Sequence, residues 1–186
     1  MIIGIAGRPA AGKETITSFL RDKGFQYNES SKIIAEELEK LGKEITRTNM
    51  QDLADKWRGE DGVGALMKKF LEKLDLEKNH IIDSLRNAGE ADFMRANLSN
   101  FILIAVDAPR EIRFKRTLER GKASDPKTWE EFVKVDERDN LDVNNPMGQQ
   151  TGKLIEIADY VIMNDKDLDS AMKQINKIWE EIKEKC

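Results

Sequence analysis

Nothing restricts this chain more than Gly7-Arg8-Pro9-Ala10-Ala11-Gly12-Lys13-Glu14-Thr15, which follows the apolar run Met1 to Ala6 without a break. Ile16, Phe19 and Leu20 come next, apolar at the i, i+3, i+4 spacing of a helix. A strand, a glycine loop and a helix in that order, with glycines five apart and a lysine after the second, is the Walker A arrangement. The spacing has a chemical reason. Glycines let successive amides turn inward around a polyphosphate, the helix start adds the positive end of its dipole, and the lysine reaches the terminal phosphates as a mobile point charge. Gly7 to Thr15 is therefore read as a nucleotide cradle, with Lys13 as its charged arm.

One position departs from the pattern. The residue after the lysine is ordinarily Ser or Thr, whose hydroxyl binds the Mg²⁺ that accompanies a nucleotide. Here it is Glu14, and Thr15 follows one place later. A carboxylate can ligate a hard cation, yet it also sets a negative charge beside a triphosphate. Glu14 and Thr15 are the first candidates for the metal.

At 186 residues the chain fits one domain with a substantial core. Thirty-one basic side chains against 35 acidic ones, a net charge of −4, give no global pull toward nucleic acid, so none is expected as a partner. The first residues carry no basic leader or cleavage site, and no run approaches 18 apolar residues. No signal peptide and no membrane association are expected. A single cysteine, Cys186, excludes an internal disulfide framework and fits a cytoplasmic, reducing setting. The one histidine, His80, lacks a second metal-binding neighbour and reads as structural.

Short apolar runs alternate with helical stretches. Met1–Ala6, Phe25–Asn28, His80–Asp83, Phe101–Asp107 and Tyr160–Met163 read as strands; Phe101 to Val106 is apolar without alternation, as a strand covered on both faces should be. Between them lie amphipathic helices, so the class is α/β with a parallel sheet. Two connections exceed the dozen or so residues a crossover needs. The first looks helical over about 31–41, 49–58 and 63–74, with glycines as punctuation. In the second, Asp125-Pro126 reads as a helix cap and Asn144-Asn145-Pro146 as a turn. Excursions of this kind beside a phosphate loop carry acceptor recognition and closure. The expected division is a core of 1–30, 78–108 and 158–186, an acceptor-binding insertion at 31–77 and a lid at 109–157.

Asp83 ends the third strand, with Ser84, Leu85 and Arg86 behind it. The carboxyl ends of parallel strands face the ligand crevice. There Asp83 can orient Mg²⁺-bound water or act as a base, and Arg86 can hold a phosphate in a fork. Arg113, Arg116 and Arg120 share one side of a basic helix, and Arg116 and Arg120 are candidates for covering a migrating phosphate. In the first insertion Arg47 and Arg58 are candidates for an acceptor phosphate, and Asn49 or Gln51 for a base edge. Trp57, Trp129 and Trp179 read as core. Asn164, after the last strand, is a neighbour for the nucleotide base.

With these pieces assembled the chain resembles the nucleoside monophosphate kinase group of P-loop kinases, which includes adenylate kinase and dephospho-CoA kinase. The closest overall likeness is to archaeal-type, adenylate-kinase-related P-loop proteins. The resemblance spans nearly the whole length. It rests on Gly7 to Lys13, on Ile82-Asp83-Ser84-Leu85-Arg86, on Arg113-Phe114-x-Arg116 to Arg120-Gly121 with Asp125 to Phe132 behind it, and on Ala158 to Asn164. It implies a three-layer P-loop NTPase fold with a five-stranded parallel sheet of order 2-3-1-4-5, an acceptor domain after the second strand and a lid after the fourth. By the same resemblance Lys13 would stabilise the β- and γ-phosphates, Arg86 would hold the acceptor phosphate, and Arg116 and Arg120 would be lid arginines. Where the group carries an acceptor-binding arginine in the helix near Ser31, this chain has Ala35.

The expectation is an ATP- and Mg²⁺-dependent phosphotransferase whose partners are a nucleotide and a small phosphorylated acceptor, a (deoxy)nucleoside monophosphate first. Two other readings stay open: a dephospho-CoA-type acceptor, or a nucleotide-binding switch whose catalysis is weakened by Glu14.

Overall fold

A computed structural model describes residues 1–122, 125–141, 145 and 147–185, apart from the side chains of Ser30, Arg47, Thr48 and Lys185. Five strands, β1 (Ile2–Gly7), β2 (Gln26–Glu29), β3 (His80–Asp83), β4 (Phe101–Asp107) and β5 (Tyr160–Met163), form one parallel sheet in the order β2-β3-β1-β4-β5. Sequence composition accounts for the order. β1 and β4 are apolar almost throughout and occupy the middle, covered on both faces; β2 is Gln-Tyr-Asn-Glu and takes an edge, where none of its residues is fully buried. The implied order and class are those observed. The bounds of β3, β4 and β5 coincide with the sequence reading, and β1 and β2 each start one residue later.

Side-chain alternation along β1 feeds two cores. Ile3 and Ile5 join Ile16 and Leu20 of α1 (Glu14–Asp22) and Ile175 and Ile178 of α9 (Leu168–Ile182). Ile2 and Ala6 face the opposite core, built with α2 (Ser30–Lys40), α3 (Arg47–Asp61), α4 (Ala65–Leu71), α5 (Ala88–Asn97) and α8 (Thr151–Glu156). There Leu38, Trp57, Met67, Phe70 and Leu154 interlock under the sheet. The insertion after β2 is thus a working part of the core.

The second excursion holds α6 (Arg110–Arg120) and α7 (Trp129–Asn140). Arg113, buried, forks onto Asp136 and donates through Nε to the Ala108 carbonyl at 2.9 Å. Phe114 packs edge-on to Trp129 and against Phe132, closing the seam between the two helices. Trp57 is buried as expected, Trp179 meets Phe19 and Phe25, and Trp129 is 37% exposed at the seam.

The helix expected from Asp125-Pro126 starts only at Trp129, and that cap assignment needs correction. Thr128 and Glu131 form a reciprocal capping box, the hydroxyl accepting the Glu131 amide at 3.2 Å and the carboxylate accepting the Thr128 amide at 3.3 Å. Two helix-end groups are satisfied at once, which leaves Asp125 for Arg120. Of the turn expected at 144–146, Asn144 and Pro146 lie outside the described residues, as does Cys186. Asn145 accepts the Gly148 amide at 2.7 Å. His80 is buried, with Nε2 2.7 Å from the Asp75 carbonyl and Nδ1 3.2 Å from Asn28 Nδ2, a structural role as read. No helix among the described residues is long and apolar enough to cross a membrane.

Candidate active site

The loop between β1 and α1 is held in a shape that side chains would obstruct. Gly7 has φ 148°, and a Cβ there would sit 2.2 Å from the Val106 carbonyl oxygen. Gly12 has φ 93°, and a Cβ there would sit 2.2 Å from Asn164 Nδ2. Ala10 also has positive φ, 58°, a left-handed turn that tips the following amides inward. Two amides of the cradle are spent within it, Ala11 on the Arg8 carbonyl at 3.2 Å and Thr15 on the Gly12 carbonyl at 3.4 Å. The amides of Gly12, Lys13 and Glu14 have no acceptor among the described residues. Open amides at a helix start are what a polyphosphate needs.

Lys13 reaches back over this loop and donates to the Gly7 carbonyl at 3.2 Å. Burial, with Arg86 second and Arg120 behind it, pulls its pKa down to about 8, while Asp83 and Asp139 work the other way. Four charges from β3, α6, α7 and the turn after β3 therefore converge on one ammonium group. All of them but Asp83 line a cavity of about 610 Å³ that runs from Pro9, Ala10 and Lys13 toward α2 and α3.

Asp83 closes the strand end. Its Oδ2 lies 2.7 Å from the Tyr27 hydroxyl, which also lies 3.1 Å from Glu29, so one phenolic proton serves two carboxylates. Burial first, and then Asp83 and Glu29, push the Tyr27 pKa well above its ordinary value. Asp83 Oδ1 is buried and has no hydrogen-bond partner among the described residues. An orphaned carboxylate oxygen at this place fits a metal-bound water, so Asp83 suits Mg²⁺. Glu14 is exposed at the start of α1, and Thr15 lines a separate small void beside Ile162 and Asn164. Neither of these two borders the cavity, and among the described residues no cluster of three metal-binding side chains occurs.

The remaining expected residues divide sharply. Arg86 lines the cavity, and its guanidinium has no hydrogen bond or ion pair among the described residues. Arg120 lines it too, gripped by Asp125 through Nε at 3.0 Å and Nη2 at 2.7 Å. Arg116 instead turns to the outer side of the loop, donating to the carbonyls of Ala11 at 3.3 Å and Asn164 at 3.1 Å. Asn164 itself donates to the Ala11 carbonyl at 2.9 Å, so the two clasp the loop from the β5 side. Arg8 departs from the cradle altogether: its guanidinium pairs with Asp107 and with Asn140 Oδ1, tying the loop to β4 and α7. Arg58 is buried, its two terminal nitrogens each 3.0 Å from a carboxylate, Asp55 and Glu90. The side chain of Arg47 lies outside the described residues. Gln51 lines the cavity, whereas Asn49 donates to the Glu44 carbonyl at 2.7 Å and serves the start of α3.

Sequence reading missed Asp139, Glu90 and Gln149. Glu90 is 1% exposed, takes Arg58 on one oxygen, and accepts the Arg86 and Asn87 amides on the other at 2.8 and 3.3 Å. It thereby fixes the turn from which Arg86 projects. The signal was present as Asn87-x-x-Glu90, a capping-box spacing, though nothing local announces that its carboxylate also holds an arginine 32 residues earlier.

Comparison with known proteins bears on this arrangement. A family model described as an AAA domain matches residues 3–139, from β1 through α7. The UPF0200 protein of Thermococcus onnurineus is 31% identical over 188 residues, covering 98% of each chain, and that of Methanocaldococcus jannaschii is 29% identical over 186 residues, covering 98% and 90%. Among solved structures, shikimate kinase from Bacteroides thetaiotaomicron superposes with a TM-score of 0.60 at 16% identity over 98% of both chains. TT1252 from Thermus thermophilus superposes with a TM-score of 0.59 at 19% identity, over 98% of this chain and 97% of its own. At such identities the structural likeness speaks for the fold.

Proposed function

This chain belongs to the AAA domain family and to the UPF0200 proteins within the P-loop kinases, and from that premise we propose that it transfers the γ-phosphoryl group of ATP to a small phosphorylated acceptor, a (deoxy)nucleoside monophosphate. One observation carries the reading: Lys13, Arg86 and Arg120 border the same cavity, and both guanidinium groups disfavour the charge on Lys13. Three cations crowded in one cleft repel, and the cost is recovered when phosphate groups enter between them.

The roles follow from position. The open amides of Gly12, Lys13 and Glu14 receive the polyphosphate, and Lys13 leaves the Gly7 carbonyl to follow the transferring group. Arg86, held by the Glu90 carboxylate through its backbone, presents an unspent fork to the acceptor phosphate. Arg120 exchanges Asp125 for the migrating phosphoryl oxygens as α6 and α7 close over it. Asp83 would hold the water shell of Mg²⁺, which when bound neutralises charge on the β- and γ-phosphates. Little covalent chemistry is asked of the protein; it positions two anions and excludes water.

An ADP-release assay over nucleoside monophosphates and dephospho-CoA tests this. Turnover that rises at least tenfold over acceptor-free hydrolysis with one nucleoside monophosphate is the expected result. ATP binding with no acceptor-dependent release for any of them would overturn it.

A further inference from the structure

Arg8 is the second residue of the cradle, a place from which a cation could serve phosphate. Its side chain instead borders a separate cleft of about 330 Å³ and not the cavity that Lys13, Arg86 and Arg120 share. One terminal nitrogen pairs with Asp107, and the other donates to Asn140 Oδ1 at 2.8 Å. The places of these two partners in the fold give the contact its meaning. Asp107 is the last residue of β4, two before Pro109 at the start of α6, and Asn140 is the last residue of α7. One arginine of the phosphate loop thus holds the chain where it leaves the sheet for α6 and where it comes back from α7.

Each of these two feet is also fixed from another side. Asp107 Oδ1 accepts the Ala108 amide at 2.9 Å, and the Asp107 carbonyl accepts the Asn164 amide at 2.7 Å. The Thr151 hydroxyl donates to the Asp139 carbonyl at 2.6 Å. Asn140 Oδ1 lies so close to Gly152 that a Cβ there would sit 2.5 Å from it, so glycine at 152 leaves the amide room to meet Arg8. Beyond the feet, α6 and α7 are joined into one body, since Arg110 and Arg113 both hold Asp136 and Phe114 packs against Trp129 and Phe132.

Arg120 stands at the far end of that body, about 15 Å along α6 from its first residue at 1.5 Å per residue. A tilt of about 10° at the feet would move that end by about 2–3 Å. Misplacing a group at a reacting centre by about 1 Å can cost roughly a hundredfold in rate. A guanidinium suits the clasp because its planar fork fixes two donors in different directions, which a lysine ammonium does not. We propose that Arg8 is a positioning residue: through Asp107 and Asn140 it sets both feet of the α6–α7 body against the phosphate loop, and so sets where Arg120 stands over the migrating phosphoryl group. The task given to Arg120 rests on the phosphotransferase reading; the clasp rests on the contacts alone.

The test compares the native chain with Asn140→Ala, Asn140→Asp, Arg8→Met and the Arg8→Met, Asn140→Ala double variant. ATP affinity is measured by calorimetry, acceptor-dependent turnover by ADP release, and hydrogen exchange of the α6 and α7 amides with and without ATP. Asn140→Ala and Arg8→Met should each lower turnover by about 10- to 100-fold while ATP affinity stays within about threefold. Asn140→Asp keeps an oxygen for Arg8 and should restore most of the turnover. The double variant should be no worse than Arg8→Met, because the two residues act through one contact. ATP should slow exchange in the first turn of α6 and the last turn of α7 of the native chain, and this slowing should vanish in both single variants. Losses that multiply in the double variant would overturn the proposal, as would a tenfold fall in ATP affinity on Arg8→Met with the slowing intact, which would make Arg8 a nucleotide ligand. ATP-dependent slowing that vanishes with Asn140→Ala in a protein releasing no ADP would sustain the clasp and sink the kinase. Full transfer by Asn140→Ala and Arg8→Met would do the reverse.

Discussion

The two ends of the cavity are built on different principles. At the proposed donor end the ligand groups are main-chain amides; the shape follows from Gly7, Ala10 and Gly12 and from the start of one helix, with Arg8, Arg116 and Asn164 tying the loop to its surroundings. At the proposed acceptor end the cavity is walled by side chains from α3, the turn after β3 and the segment leading into α8, held by an ion pair between residues 32 apart and hydrogen bonds between residues 61 and 90 apart. The donor end therefore stores its cost in a desolvated cation, and the acceptor end stores its stability in a buried ion pair. Methionine at Lys13 and at Arg58 separates the two.

The largest effect belongs to Lys13→Met. Losing one preorganised charge at the migrating phosphate should lower turnover by roughly 10²–10³-fold, read by the ADP-release assay. The thermal midpoint should stay level or rise, because the ammonium is held in surroundings that disfavour its charge. A midpoint several degrees lower would show that Lys13 supports the fold and would dissolve the contrast.

Arg58→Met should do the opposite. It leaves Glu90, 1% exposed, without its counter-charge. Removing one partner of a buried pair costs about 3–5 kcal/mol, so urea denaturation should show a loss of that order. Unchanged stability would mean that Glu90 is sufficiently served by the Arg86 and Asn87 amides.

The same contrast explains what could be read without coordinates. Loop, flanking strand and Lys13 were legible because their meaning is local: spacing along nine residues is spacing in space. The bounds of β3, β4 and β5 were legible as apolar runs ending at turns. The arginines of α6 were not separable, since Arg113, Arg116 and Arg120 share a helical side. Only their partners send them to a buried seam, the loop's outer side and the cavity respectively: Asp136 and the Ala11 carbonyl, brought in from 23 and 105 residues away, and Asp125, five residues on. Arg8 sits inside the motif yet answers to Asp107 and Asn140. Gln149 had no signal at all, for a buried oxygen without a partner among the described residues exists only once everything around it is placed.

A proton-linked measurement sharpens the donor end further. Lys13 titrates near 8 in the ligand-free protein, below the ordinary 10.5. An unfolded chain binds this proton more tightly than the folded one, so its contribution makes the free protein more stable as pH rises from about 8 toward 10.5. Phosphate binding favours the charged form and runs the other way. Between pH 7 and 9 the affinity for ATP should fall by up to about tenfold with uptake of a proton at the higher pH, measured by calorimetry in buffers of different ionisation heat. Lys13→Met should abolish both the fall and the uptake.

The smallest effect is expected where the sequence departs most from its motif. Glu14 stands in the position of the Mg²⁺-linked hydroxyl, and on spacing alone its carboxylate either ligates the metal or repels the nucleotide. Its side chain is exposed at the first position of α1 and does not border the cavity, while its amide, like those of Gly12 and Lys13, has no acceptor among the described residues. The backbone of this residue belongs to the cradle and the carboxylate does not. The charge then acts only through solvent, where exposed substitutions are worth about 0.5 kcal/mol and screening reduces them further. Glu14→Ser should accordingly change Mg²⁺-dependent turnover by about twofold, with Asp83→Asn far more damaging because it alters the one orphaned carboxylate oxygen at the strand end. A tenfold gain on Glu14→Ser would mean that the native carboxylate swings into the cavity when ATP is bound and restrains the reaction there. A tenfold loss would make it a metal ligand in that same closed state, and either would move the metal from the strand end to the helix start.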